Sequence, residues 1–159
     1  MRPMRLLTLL CFAFLLSACG GGINTGGLPD RVWPPQTSLQ ELRLLPGGNW
    51  QLTVRLTNFS TVSVRYGTMD LQLQVEGQMA GTIAISTDMG MGPVTAEPFA
   101  YTLQPDPMAG QALRAAIAEG RSLRYQITGE VTALEPRGRW PQEFQGVLSP
   151  VPGLTDVLR

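Results

Sequence analysis

Two side chains in this 159-residue chain, Cys11 and Cys19, carry the strongest nucleophile a protein offers, the thiolate. The rest of the composition narrows what either could do. There is no histidine, and all twelve basic residues are arginine. The commonest general base and the commonest metal ligand are therefore missing. Serine, cysteine and zinc chemistries of the usual kinds are not expected, and no catalytic, cofactor-binding or metal-ligating residue is assigned. Met69, Met79, Met89 and Met91 offer thioethers of the kind that favour Cu(I). Methionines falling by chance in and around a glycine-rich hairpin tip at Met89-Gly90-Met91 are the plainer reading. Asp70 and Glu76 invite a reading as paired acids, but on an alternating strand they share a solvent face with Gln72 and Gln74 and serve solubility.

The surroundings of Cys19 say which chemistry a lone thiol would meet. Met1-Arg2-Pro3-Met4-Arg5 supplies two positive charges, and Leu6 to Leu16 is an apolar run of eleven residues. A membrane-spanning helix needs about 20 apolar residues, so the run reads as the hydrophobic region of an export signal covering residues 1–18. Directly after it stands Leu16-Ser17-Ala18-Cys19, which resembles at every position the lipobox of bacterial lipoproteins. That resemblance implies recognition of Leu16, Ser17 and Ala18 by the signal peptidase, cleavage before Cys19, and diacylglyceryl and N-acyl modification of Cys19. The alternative is an ordinary secretory signal cut near Ala18 that leaves Cys19 as a thiol. Cys11 lies inside the signal, so the mature chain holds one cysteine and forms no internal disulfide. A multiply acylated cysteine is a durable anchor, because each buried methylene contributes about 0.8 kcal/mol and two or more chains suffice for stable attachment. The lipoprotein sorting rule retains chains with aspartate after the cysteine at the inner membrane. Gly20 in that place favours the periplasmic face of the outer membrane.

Loss of Arg2 and Arg5 with the signal leaves ten arginines against twelve acids, a net charge of minus two. That balance carries no footprint for nucleic acid, and no small-molecule substrate is evident. Residues 19–37 are rich in Gly, Pro, Asn and Thr and read as a flexible tether. Residues 38–148, about 110 in all, suffice for one domain with its own core and not for two. Residues 149–159 are left as a C-terminal tail.

Two-residue alternation dominates that domain. Trp50, Leu52, Val54 and Leu56 alternate with polar residues, as do Leu71, Leu73 and Val75. Shorter runs repeat the pattern at Val62, Val64 and Tyr66; Ile83 and Ile85; Phe99, Tyr101 and Leu103; Tyr125 and Ile127; Val131 and Ala133. Such spacing places one face on a core and the other in water. Turn signals fall at Gly47-Gly48, Asn58-Phe59-Ser60, Glu76-Gly77, Gly90 to Pro93 and Arg137-Gly138. The expected fold is mainly β, an antiparallel sandwich of about seven strands. One segment departs from it. Asp106 as N-cap, Pro107 at the first helical position, a stripe of Met108, Ala112, Leu113, Ala116 and Ile117, and Gly120 as a stop predict an amphipathic helix from 108 to 119. Arg137-Gly138-Arg139-Trp140-Pro141 reads as a loop whose Trp packs over the sandwich edge, with a contact patch as the alternative.

The succession Leu39-Gln40-Glu41-Leu42, Trp50 to Asn58, Val64 to Gly77 and Ser122 to Val131 resembles the type 2 late-embryogenesis-abundant domain, also called the water stress and hypersensitive response domain. The resemblance covers nearly all of residues 38–148. Asn58 matches the asparagine of the family's Asn-Pro-Asn turn, whereas Phe59 and Ser60 stand where proline and asparagine are usual. Asn tolerates turn geometry by itself. The resemblance implies an immunoglobulin-like or fibronectin-like sandwich without enzyme activity, and a role in protecting proteins or envelope during desiccation and other stress. The expected partners are the membrane, through Cys19, and envelope proteins as clients. The other expectation is an accessory lipoprotein, pilotin-like or assembly-related, docking on an outer-membrane complex.

Overall fold

A computed structural model describes residues 30–159 of the chain. The expected signal, with Leu16, Ser17 and Ala18, and the expected lipidation site Cys19 lie outside the described residues. The elements are β1 (Gln36–Leu44), β2 (Trp50–Thr57), β3 (Val64–Val75), β4 (Gln78–Met91), β5 (Ala96–Leu103), α1 (Pro107–Ala118), β6 (Leu123–Glu135), β7 (Arg137–Leu148) and β8 (Val157–Leu158). They form two four-stranded sheets, ordered β5-β2-β1-β8 and β4-β3-β6-β7, antiparallel at every pairing.

Alternation explains why the two sheets face each other. Trp50, Leu52, Val54 and Leu56 of β2 and Met69, Leu71, Leu73 and Val75 of β3 are fully buried in one shared core, with Gln51, Arg55, Asp70 and Gln72 exposed between them. Burying each such aliphatic side chain contributes roughly 1.5–3 kcal/mol, which is what holds one sheet on the other. The β3–β4 hairpin turns on Glu76 and Gly77, both at positive φ (48° and 76°), as a two-residue turn matched to strand twist requires. Gly129 sits where a Cβ would lie 2.2 Å from the Asp70 carbonyl oxygen. Strands β3 and β6 approach at that point only because a side chain is absent.

Several expectations need correction. The eighth strand, β8, comes from the segment expected to be a tail: Leu42 and Arg43 pair with Leu158 and Val157, and the main chains of Ser149 and Arg159 exchange two hydrogen bonds. Val157 and Leu158 are buried there. At the other boundary β1 starts at Gln36, and Pro35 is already buried, so the domain begins before residue 38. The helix presents Ala109, Gly110, Leu113 and Ala116 inward, while Met108 is 59% exposed. Asp106 makes no side-chain cap; its backbone N–H donates to the Ala80 carbonyl, which ties the helix start to β4. Met89-Gly90-Met91 is the last stretch of β4, not a hairpin tip. Met69 and Met91 are buried in the core, and Met79 lies near the opposite end of β4. Arg137 to Pro141 belongs to β7, with the turn at Pro136; Trp140 packs against the core and its ring covers Gly138.

Candidate functional site

The polar groups inside the sandwich are few, and each marks a place where a strand loses its neighbour. Asn58, at the end of β2, is completely buried. Its Nδ2 donates to the carbonyls of Gly92 (2.9 Å), Val62 (3.2 Å) and Met91 (3.5 Å). Its Oδ1 accepts from the Ser60 N–H at 3.0 Å and from the Tyr66 hydroxyl at 3.3 Å. One side chain thus closes the β2–β3 connection onto the end of β4. The same geometry means that Asn58-Phe59-Ser60, though it fits a glycosylation sequon, presents no free amide nitrogen. Burial pushes the Tyr66 phenol up to about 12.

Ser60 extends this hub to the segment entering the domain. Its Oγ accepts from the Trp33 N–H at 3.0 Å, and its backbone carbonyl accepts from the Val94 N–H at 3.1 Å. Next to it, the Thr61 N–H donates to the Arg31 carbonyl and the Arg31 N–H to the Thr61 hydroxyl. Residues 31–33 are therefore held against the β2–β3 loop as an added extended segment. Around Ser60 stand four large apolar side chains that remain in solvent: Val32, Trp33, Phe59 and Val94, exposed by 44, 48, 46 and 66%. Sequence reasoning singled out Asn58 but missed this group. The available signal was Val32-Trp33, an apolar pair followed by two prolines inside an otherwise polar, glycine-rich stretch.

Along one side, the outer edge of β1 is sealed by side chains of the opposite sheet. A bulge between Leu39 and Glu41 interrupts β1. The Tyr125 hydroxyl from β6 accepts from the Leu39 N–H at 3.1 Å and donates to the Leu39 carbonyl at 3.3 Å. Gln142 from β7 accepts from the Thr37 N–H at 2.9 Å and donates to the Pro35 carbonyl at 3.1 Å. These bonds satisfy backbone groups that would otherwise be orphaned at a buried edge. The Trp50 indole N–H is the one buried side-chain polar atom among the described residues without a partner.

Five acids, Glu41, Glu76, Asp88, Glu119 and Glu130, are tied to arginines. The Arg124 backbone N–H donates to Glu76, and the guanidiniums of Arg124 and Arg121 flank it, holding that carboxyl below its ordinary range. Glu41 is held down by Arg159 and then Arg43. Asp70 is exposed beside Gln72, and Glu76 is half-buried at the hairpin. The two do not converge on a common site. A shallow cleft of about 330 Å³ next to Glu76 is lined by Gln74, Arg124, Gln126 and Gln145. Among the described residues no group of three or more Cys, Asp or Glu side chains is placed to hold a metal ion, and no helix is long and apolar enough to cross a membrane.

No family model matches the chain, and no curated protein matches it. Among solved structures it is similar to a protein of Arabidopsis thaliana studied in solution, at 12% identity and TM-score 0.48, covering 76% of this chain and 80% of that one. It is also similar to a protein from Archaeoglobus fulgidus, at 9% identity and TM-score 0.41, covering 76% of this chain and 98% of that one.

Proposed function

We propose that this chain is a non-enzymatic lipoprotein, held by acyl chains on Cys19 at the periplasmic face of the outer membrane, whose β-sandwich protects envelope proteins under desiccation and related stress by binding them through its outer surface. The observation that carries the anchor is Leu16-Ser17-Ala18-Cys19 placed directly after an eleven-residue apolar run. Binding rather than catalysis is supported by how the interior polar groups are used. Asn58, Ser60, Thr37, Gln142, Tyr66 and Tyr125 are committed to bonds that close the sandwich. Glu41 and Glu76 are held ionised by arginines rather than poised to exchange protons. The protective role rests on the resemblance of residues 38–148 to the late-embryogenesis-abundant domain.

Crosslinking of the tagged, membrane-anchored protein in intact envelopes, followed by affinity capture, tests the role. A protectant yields many clients at low occupancy and suppresses aggregation of unrelated proteins during drying. One dominant partner at fixed stoichiometry contradicts it and makes the chain an accessory subunit of an outer-membrane complex.

A further inference from the structure

We propose that the end of the sandwich carrying Val32, Trp33, Phe59 and Val94 is a membrane-docking face, which lays the domain's tip on the lipid surface that the anchor enters. The inference rests on the lipid-anchor reading of Cys19 and adds to it a second, side-chain contact with the same bilayer.

Three observations carry it. The first is the apolar group itself. All four residues are gathered by hydrogen bonds to Ser60 or stand next in sequence to a residue so bonded, and all four are between 44 and 66% exposed. A tryptophan with neighbouring aliphatic and aromatic side chains is suited to the interfacial region of a bilayer, where an apolar ring body and a polar N–H are both accommodated. The second is Val94, whose φ of 53° lies in the left-handed region. A β-branched residue is a genuine outlier there, and its side chain gains nothing from the core, being the most exposed large apolar residue of the described chain. Strain kept in order to hold an apolar side chain in water points to something outside the domain that meets it. The third is where the chain enters. Asp30 stands eleven positions after Cys19, a distance that even a fully extended chain covers in at most about 40 Å. The chain joins the domain at Arg31 to Trp33, within this same apolar group. The opposite end of the sandwich, at the β3–β4 turn, lies roughly another 40 Å away along the twelve-residue β3. The far end also exposes Met79 and Val147, but the end at the anchor is the one that carries the exposed tryptophan and the strained Val94.

The test uses the full-length, acylated protein reconstituted in vesicles of phosphatidylethanolamine and phosphatidylglycerol. Val94→Cys, Phe59→Cys and, at the far end, Val147→Cys each add one cysteine for a nitrobenzoxadiazole label, and the bilayer contains a nitroxide quencher on the acyl chain. Circular dichroism selects the variants that keep the β-sheet signature, and either of positions 59 and 94 suffices. Docking predicts quenching at 59 and 94 at least threefold stronger than at 147. It also predicts that Trp33→Ser removes most of that difference while the protein still floats with the vesicles. Equal quenching at the two ends of an acylated, floating protein overturns the docking face and leaves the anchor standing. A Cys19 found unmodified by mass spectrometry overturns the anchor, and the docking face with it.

Discussion

Asn58 is completely buried and holds together three chain segments. Removing its side chain as Asn58→Ala takes the acceptor from the buried Ser60 N–H and Tyr66 hydroxyl, while the Gly92 carbonyl keeps its bond from the Thr95 hydroxyl. The expected loss is about 2–4 kcal/mol of unfolding free energy, read from urea denaturation. Asn58→Asp is worse at neutral pH, because the new carboxylate faces the carbonyl oxygens to which Nδ2 now donates. Its folded pKa is raised, so the variant is most stable in acid and weakens as pH rises above the ordinary carboxylate range. The wild-type protein is expected to show the same sign at the alkaline end through Tyr66. With the phenol at 10.0 when unfolded and about 12 when folded, its contribution is complete below pH 10 and is lost as pH rises towards 12. The decline is on the order of 2–3 kcal/mol, visible as a falling midpoint in urea titrations run at increasing pH. A Tyr66→Phe variant lacks this component of the decline.

Among the elements, β2 is the most legible, because four consecutive alternations leave only one way to bury the apolar face. In β3 the runs Val64 to Tyr66 and Leu71 to Val75 read as separate strands, because irregularities after Tyr66 break the period of one continuous strand. Strand β4 was half-legible. Ile83 and Ile85 signal it, but the stretch from Ser86 to Gly90 offers polar, small and glycine residues, and becomes strand only by pairing with β3. The helix was located within a residue at each end, yet its inward face was rotated. Apolarity favoured Met108, whereas the small Ala109 and Gly110 are the residues of the first turn that are buried. Strand β8 was not legible at all, since two residues carry no period. Its pairing with β1 and the burial of Val157 and Leu158 are tertiary events. Deleting residues 149–159 therefore exposes core rather than trimming a tail, with an expected loss of about 2–5 kcal/mol in thermal or urea unfolding. It also removes the Arg159 partner of Glu41. Because Arg159 lowers the Glu41 pKa, that ion pair stabilises above pH 4.5 and is lost as pH falls through the lower folded value. Its worth is under about 1 kcal/mol at such an exposed edge. The truncated protein is expected to lose that small acid-sensitive component along with the larger apolar one.

For the whole molecule, the candidate site divides in the same way. The proposed anchor rests on four adjacent residues, Leu16-Ser17-Ala18-Cys19, a local pattern that sequence alone displays. The apolar end is not legible in that way, because Val32, Trp33, Phe59 and Val94 come from three separate stretches of sequence that only the Asn58 and Ser60 bonds bring together. A domain whose buried polar groups, the Trp50 indole N–H apart, serve closure, and whose chain enters beside an exposed apolar tip, is suited to work as a surface held at a membrane. The most direct measurement of that claim compares the wild-type protein with Cys19→Ser by metabolic fatty-acid labelling and membrane fractionation. The wild type is expected to incorporate label and sediment with outer membranes, and Cys19→Ser to incorporate none and to lose stable membrane attachment. Label and stable attachment that survive the substitution would contradict the lipid anchor.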